Sequence, residues 1–168
     1  PAAYRGPYNK WFGFSARARV IAYNKAEVKP GEIRDYEDLA NPKWKGKICV
    51  RSSAHPYMLS LTSSMVTHLG EQKAEAWVKG LKDNLARDPK GGDTDQLRAT
   101  AAGECAIAVS NQYYYVRLMR GKPDDRRVAE KLAIVFPNQG NRGTHMNISG
   151  GGMLKHAPHK EAARRFLE

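Results

Sequence analysis

The sequence predicts an α/β domain, a mostly parallel β-sheet with helices on both faces. Short β-type apolar runs alternate with longer helical patterns, which is the spacing of βαβ units. The chain has 168 residues, 41% of them hydrophobic, enough to bury one real core. Glycine pairs and triplets fall between the patterned segments, where loops belong.

The first strand is expected over residues 19–23, an Arg-Val-Ile-Ala-Tyr run. One short helical turn follows at Tyr-Glu-Asp-Leu-Ala, residues 36–40, and Asn41-Pro42 breaks it. Residues 47–51 read as a second strand. Residues 55–69 and 71–86 carry apolar side chains at helical intervals, as at Ala74, Trp77, Val78 and Leu81. Asp93 is expected to cap a further helix that Gly103 closes. The runs at 105–110 and 132–136 complete the strand set. Gly91-Gly92 and Gly150-Gly151-Gly152 read as loops, and neither has the spacing of a nucleotide-phosphate loop.

Lys and Arg outnumber Asp and Glu by 28 to 17, a net charge of +11, which directs attention to nucleic acid, anionic surfaces or small anions without choosing among them. No apolar run approaches the roughly 20 residues of a membrane-spanning helix. Cys49 and Cys105 each sit in an apolar run and are expected to be buried thiols, with a disulfide left open. Two cysteines without CxxC spacing do not suggest structural zinc.

In parallel sheets ligands gather beyond the carboxyl ends of strands, which selects the loops 52–57, 111–115 and 137–144. Of eight tyrosines, three are consecutive, Tyr113, Tyr114 and Tyr115, directly after a strand that ends in Ser110-Asn111. Successive positions at a helix start differ by about 100° in direction, so the three rings cannot all enter one core. Tyr57 stands in the corresponding loop after another strand. Packing alone is one account of these rings. The other is metal binding. A phenolate is a hard anionic donor, and a trivalent hard cation displaces the proton of a group with a pKa of about 10, which points to ferric ion. Softer metals would recruit Cys or paired His, and calcium or magnesium would recruit several carboxylates.

The run Trp-Phe-Gly-Phe-Ser-Ala-Arg-Ala-Arg-Val-Ile-Ala-Tyr-Asn at 11–24, then Tyr36-Glu37-Asp38-Leu39, Trp44-Lys45-Gly46-Lys47, Gly92-Asp93-Thr94, Ala102-Gly103-Glu104 and Asn111-Gln112-Tyr113-Tyr114, resembles the ferric-ion-binding periplasmic proteins, the substrate-binding components of bacterial iron ABC transporters. The resemblance covers nearly the whole chain, and the tyrosine pair after a strand ending in Asn is its most specific element. It implies one lobe, mainly the C-terminal one, of a bilobal type II periplasmic binding protein. Residues 1–24 would then be a hinge or crossover segment and strand, and residues 25–168 the metal-binding lobe of a longer chain.

Carried over by position, Tyr113 and Tyr114 match the paired phenolate ligands, and Tyr57 matches the tyrosine of the subclass without bound phosphate. Tyr115 stands where the family requires no tyrosine. Remaining ligands, from the missing other lobe, would precede Pro1. A synergistic anion, carbonate or similar, is implied beside Fe(III). Ser15 and Arg17 resemble positions that hold it, with a solvated strand edge as the plain alternative for Arg17 and Arg19. Ser52, Ser53 and Asn111 are further candidate donors, and Arg117, one turn beyond Tyr113, brings a charge that favours phenolate. The implied partners are ferric ion and the inner-membrane permease, in the periplasm, with no nucleic acid.

Other readings remain. A thiamine-like molecule or another small anion would fit the same fold without needing adjacent phenolates. A basic, tyrosine-rich domain also suits single-stranded nucleic acid, although here the aromatics are not interleaved with basic residues on an open sheet. For an enzyme, Ser52, Ser53 and His55 come closest to a nucleophile with a base, yet no GxSxG context surrounds them.

Overall fold

The computed structural model describes residues 2–167, which fall into two compact units: residues up to Arg17 together with those from Met146 onward, and Ala18–His145. These boundaries differ from a single division at residue 24. Strand β1 (Phe12–Asn24) belongs to both, exposed or half-buried as far as Arg17 and buried from Ala18 to its end. Its buried half is apolar at nearly every position because it is covered on both faces.

In the larger unit the strands run in the order β2 (Ile48–Cys49), β3 (Ile107–Asn111), β1, β4 (Leu132–Val135). Helices do cover both faces. On one side α1 (Pro56–Leu69) and α2 (Glu71–Asp83) bury Met58, Leu61, Met65, Ala74, Trp77 and Leu81 against Ile21, Tyr23, Ile107 and Val109. On the other, α3 (Asp93–Ala102), α4 (Gln112–Met119) and α5 (Pro123–Glu130) bury Leu97, Ala101, Leu118 and Ala129 against Ala22 and Leu132.

The α/β fold stands, but the mostly parallel pairing is corrected to a mixed sheet. In the larger unit β2 and β3 pair in parallel, Ile48 opposite Ile107 and Cys49 opposite Ala108. β1 runs antiparallel to both β3 and β4. The expected direction holds for β2, β3 and β4, which follow one another through helical crossovers. It fails for β1, because only turns and 3₁₀ segments lie between it and β2, and no crossover helix sets its direction.

Local signals account for the helix ends. Pro56 opens α1 and the His55 ring Nδ1 accepts the backbone N–H of Tyr57 at 3.2 Å. At α3 the capping expectation is corrected: the cap position is Gly92, whose N–H donates to Asp95 Oδ2 at 2.7 Å, which frees Asp93 to turn inward. Gly103 ends that helix in the left-handed region, φ 81°, where a side chain would be strained.

Cys49 and Cys105 form a disulfide with 5.9 Å between Cα atoms, so the buried-thiol expectation is corrected. Parallel pairing of β2 and β3 places Cys49 beside the residues that lead into β3, a proximity that a separation of 56 residues does not reveal.

The smaller unit contains the first half of β1, strand β5 (Met146–Gly151), which pairs with β1, and helix α6 (Lys160–Leu167). β5 includes two of the glycines read as a loop. A Cβ on Gly150 would stand 2.3 Å from the Phe12 carbonyl oxygen, so the close approach of the two strands excludes any larger residue.

Candidate metal centre

β2, β3 and β4 present their carboxyl ends at one edge of the sheet, and two of the three selected segments deliver tyrosine there. Tyr113 and Tyr114 sit in the first turn of α4, which starts immediately after β3, and Tyr57 in the first turn of α1, after the loop that follows β2. The Tyr113 and Tyr114 rings lie 4.1 Å apart between centroids with 31° between planes. The Tyr113 hydroxyl interacts with those of Tyr114 and Tyr57, which brings the three phenols together. Burial first, and then these interactions, push the Tyr113 pKa well above the ordinary phenol value. Without a metal, the group holds its proton.

Tyr115 faces elsewhere. Its ring packs beside the second core cluster, and its hydroxyl donates to the carbonyls of Ala129 and Leu132 at 3.5 and 3.4 Å. Tyr115→Phe is expected to lower stability by less than about 1 kcal/mol, since both bonds are long. It should leave any iron-dependent absorbance unchanged, which a spectrum and a thermal melt check together.

Beneath Tyr57 lies a charge cluster that sequence reading missed. Arg19, opposite Asn111 in the β1–β3 register, is completely buried. Its Nη1 donates to Asp93 Oδ2 at 2.5 Å and to Asn111 Oδ1 at 3.2 Å, and its Nη2 lies 3.4 Å from Met58 Sδ. Arg51 Nη1 donates to Asp93 Oδ1 at 3.1 Å. The guanidinium carbons of Arg19 and Arg51 stand 5.7 and 5.2 Å from the Tyr57 ring centroid, within cation–π range. Burial pulls the Arg19 pKa down and Asp93 pushes it back up; an arginine remains cationic under both.

His55 borders the site. Its ring meets Tyr57 edge-on at 4.6 Å, and partial burial followed by the charge of Arg51 lowers its pKa. The one signal that could have drawn attention to Arg19 was a cation opening an otherwise apolar strand. Asp93 had none, because a helix-opening aspartate reads as a cap.

The remaining candidates are distributed as follows. Asn111 is buried and its side chain holds Arg19. Ser52 and Ser53 are exposed in the loop between β2 and α1, the Ser52 hydroxyl accepting the Ala54 N–H at 3.3 Å. Arg117 is exposed on α4, one turn beyond Tyr113. Ser15, exposed, and Arg17, half-buried, lie on the first half of β1, in the smaller unit, whereas the tyrosines belong to the larger. The third selected loop turns away: Asn138 is buried, accepts the Tyr36 N–H and donates to Glu37.

Among the described residues no group of three His, Cys, Asp or Glu could hold a metal, which leaves the phenol cluster as the hard-donor candidate. A cavity of about 490 Å³ lies behind Arg51, lined by Val50, Met58, Trp77, Leu81 and Leu85 among others and by none of the three tyrosines. Its apolar walls and cationic rim are the wrong chemistry for a trivalent cation.

Relatives agree with this placement of the fold. The profile of the bacterial extracellular solute-binding proteins matches residues 1–168. Iron uptake proteins A1 and A2 of Synechocystis are 47% and 48% identical, each matching 100% of this chain but only 47% and 49% of the relative. The chain thus spans about half the length of the curated relatives it matches. A Trichodesmium protein solved in complex with iron and citrate is 54% identical, with a TM-score of 0.94 over 99% of this chain and 53% of that one. With its profile matched from end to end on a lobe of the expected α/β type, the chain belongs to the bacterial extracellular solute-binding protein family.

Proposed function

We propose that this chain is the metal-holding part of the periplasmic Fe(III)-binding component of an ABC transporter, which captures ferric ion and delivers it to the permease in the inner membrane without catalysing a reaction. The observation that carries this reading is the meeting of the Tyr57, Tyr113 and Tyr114 hydroxyls, three hard donors with no soft ligand among them. It is supported by the names of the Synechocystis iron uptake proteins and by the iron and citrate in the Trichodesmium structure.

The three tyrosines are the proposed ligands of this half, with further ligands from the other lobe of the same protein and residues 1–24 as the hinge toward it. A synergistic oxyanion, carbonate or a carboxylate such as citrate, would complete the coordination. Ser52, Ser53 and Arg117 are its proposed donors within the unit that carries the tyrosines. Arg19 is not available to it, since it is completely buried against Asp93, Asn111 and Met58. Addition of ferric nitrilotriacetate should produce a visible phenolate-to-iron charge-transfer band. A colourless protein that binds single-stranded nucleic acid in a salt-dependent way would overturn the reading.

Loading has a pH sign. The phenol of Tyr113 has its pKa raised in the empty site, so metal must displace its proton, and affinity falls as pH is lowered. About three protons should leave per ferric ion, one from each phenol, as calorimetry in buffers of different ionisation enthalpy would measure.

A further inference from the structure

One buried carboxylate joins the two segments that carry the tyrosines. Asp93 is 1% exposed and receives three donors: Arg19 of β1, Arg51 of the loop after β2, and the backbone N–H of Asn111 at the end of β3, the last at 2.8 Å. Arg19 and Arg51 both stand at the Tyr57 ring. Asn111 is followed directly by Gln112-Tyr113-Tyr114. Tyr57 is therefore held through guanidiniums, and the tyrosine pair through the backbone, by the same two oxygens. Capping of α3 does not require Asp93, because Asp95 takes the Gly92 N–H.

We propose that Asp93 is a positioning residue that sets the distance between the Tyr57 phenol and the Tyr113–Tyr114 pair, and through it the affinity for iron. This rests on the tyrosine reading of the site. Two cations with one anion leave net positive charge at the Tyr57 ring, which the ring's electron-rich face accepts. Asp93 keeps those cations from separating. Without it Arg19, locked against Asn111 and Met58, would lose its carboxylate partner in a place where an uncompensated charge is strongly unfavourable. The tyrosine spacing would change with it.

The test uses ferric nitrilotriacetate as probe, with citrate as competitor. Asp93→Asn keeps the shape and removes the charge, and is expected to weaken iron binding by about 10–100-fold, the usual effect of removing a group that orients metal ligands. The charge-transfer band should move toward that of Tyr57→Phe. Adding Asp93→Asn to Tyr57→Phe should cause little further loss, because the two changes act through the same phenol. Leu97→Ala, buried on the same helix, controls for lost stability and should keep the wild-type band. If Asp93→Asn does not fold, Arg51→Gln decides: it breaks one tie, leaves the Arg19–Asp93 pair, and should shift the band the same way with a smaller loss of affinity. Wild-type band and affinity in folded Asp93→Asn or Arg51→Gln, or the same change in Leu97→Ala, overturns the role of Asp93 alone. A wild type without any band overturns it together with the tyrosine reading.

Discussion

The double substitution Tyr113→Phe/Tyr114→Phe abolishes the visible band and lowers iron affinity by about three to four orders of magnitude, counting roughly 2–3 kcal/mol for each charged donor lost. The rings themselves remain. Phenylalanine preserves the 4.1 Å stacking of the pair and the packing of position 114 beside the second core cluster, so the thermal midpoint should stay near that of wild type. Loss of colour without loss of fold separates the phenol oxygens from the rings that carry them. Tyr57→Phe should retain a weaker band, since the pair persists. Full colour in the double variant would refute the site, because the colour is assigned to these two phenolates and no group of three His, Cys, Asp or Glu among the described residues could hold the metal instead.

The parts of this molecule that local pattern controls were legible in the sequence. β1 is apolar from Val20 to Tyr23, α1 and α2 show their helical intervals, and Gly103 stops α3 where a left-handed residue is required. Tyr57, Tyr113 and Tyr114 stand out as candidates because strand ends and helix starts are local features. What escaped depends on residues distant in sequence. Arg19 and Asp93 are 74 positions apart, and nothing at either position shows that the other neutralises it. An arginine at the mouth of a strand reads as a solvated edge, and an aspartate at the start of a helix as a cap. The direction of β1 escaped for the same reason, being set by pairing with β3 and β4. β5 was hidden by its own composition, since glycines that permit close strand approach also signal loops.

Removing the Cys49–Cys105 crosslink, by Cys49→Ala/Cys105→Ala, is expected to destabilise the domain by about 3–4 kcal/mol, because a disulfide acts mainly by limiting the unfolded chain and this one spans 56 residues. In a domain of this size that corresponds to a fall of about 10 °C in the melting midpoint. The enclosed segment includes α1, α2, α3 and the loop that presents Tyr57, so the effect on the fold is large. The effect on the metal centre should be small below the transition. Arg19, Asp93 and Asn111 hold one another by contacts that do not pass through sulfur, and the iron band should therefore survive in the folded double variant. In the native protein both cysteines are shielded, at 0% and 2% exposure, so mild reductant should act only as fast as the domain opens. Such a bond persists in an oxidising compartment, as the proposed periplasmic setting provides. A melting midpoint unchanged in the double variant would show that the unfolded chain gains little freedom when the bond is absent, and the loop-entropy account of this crosslink would fail.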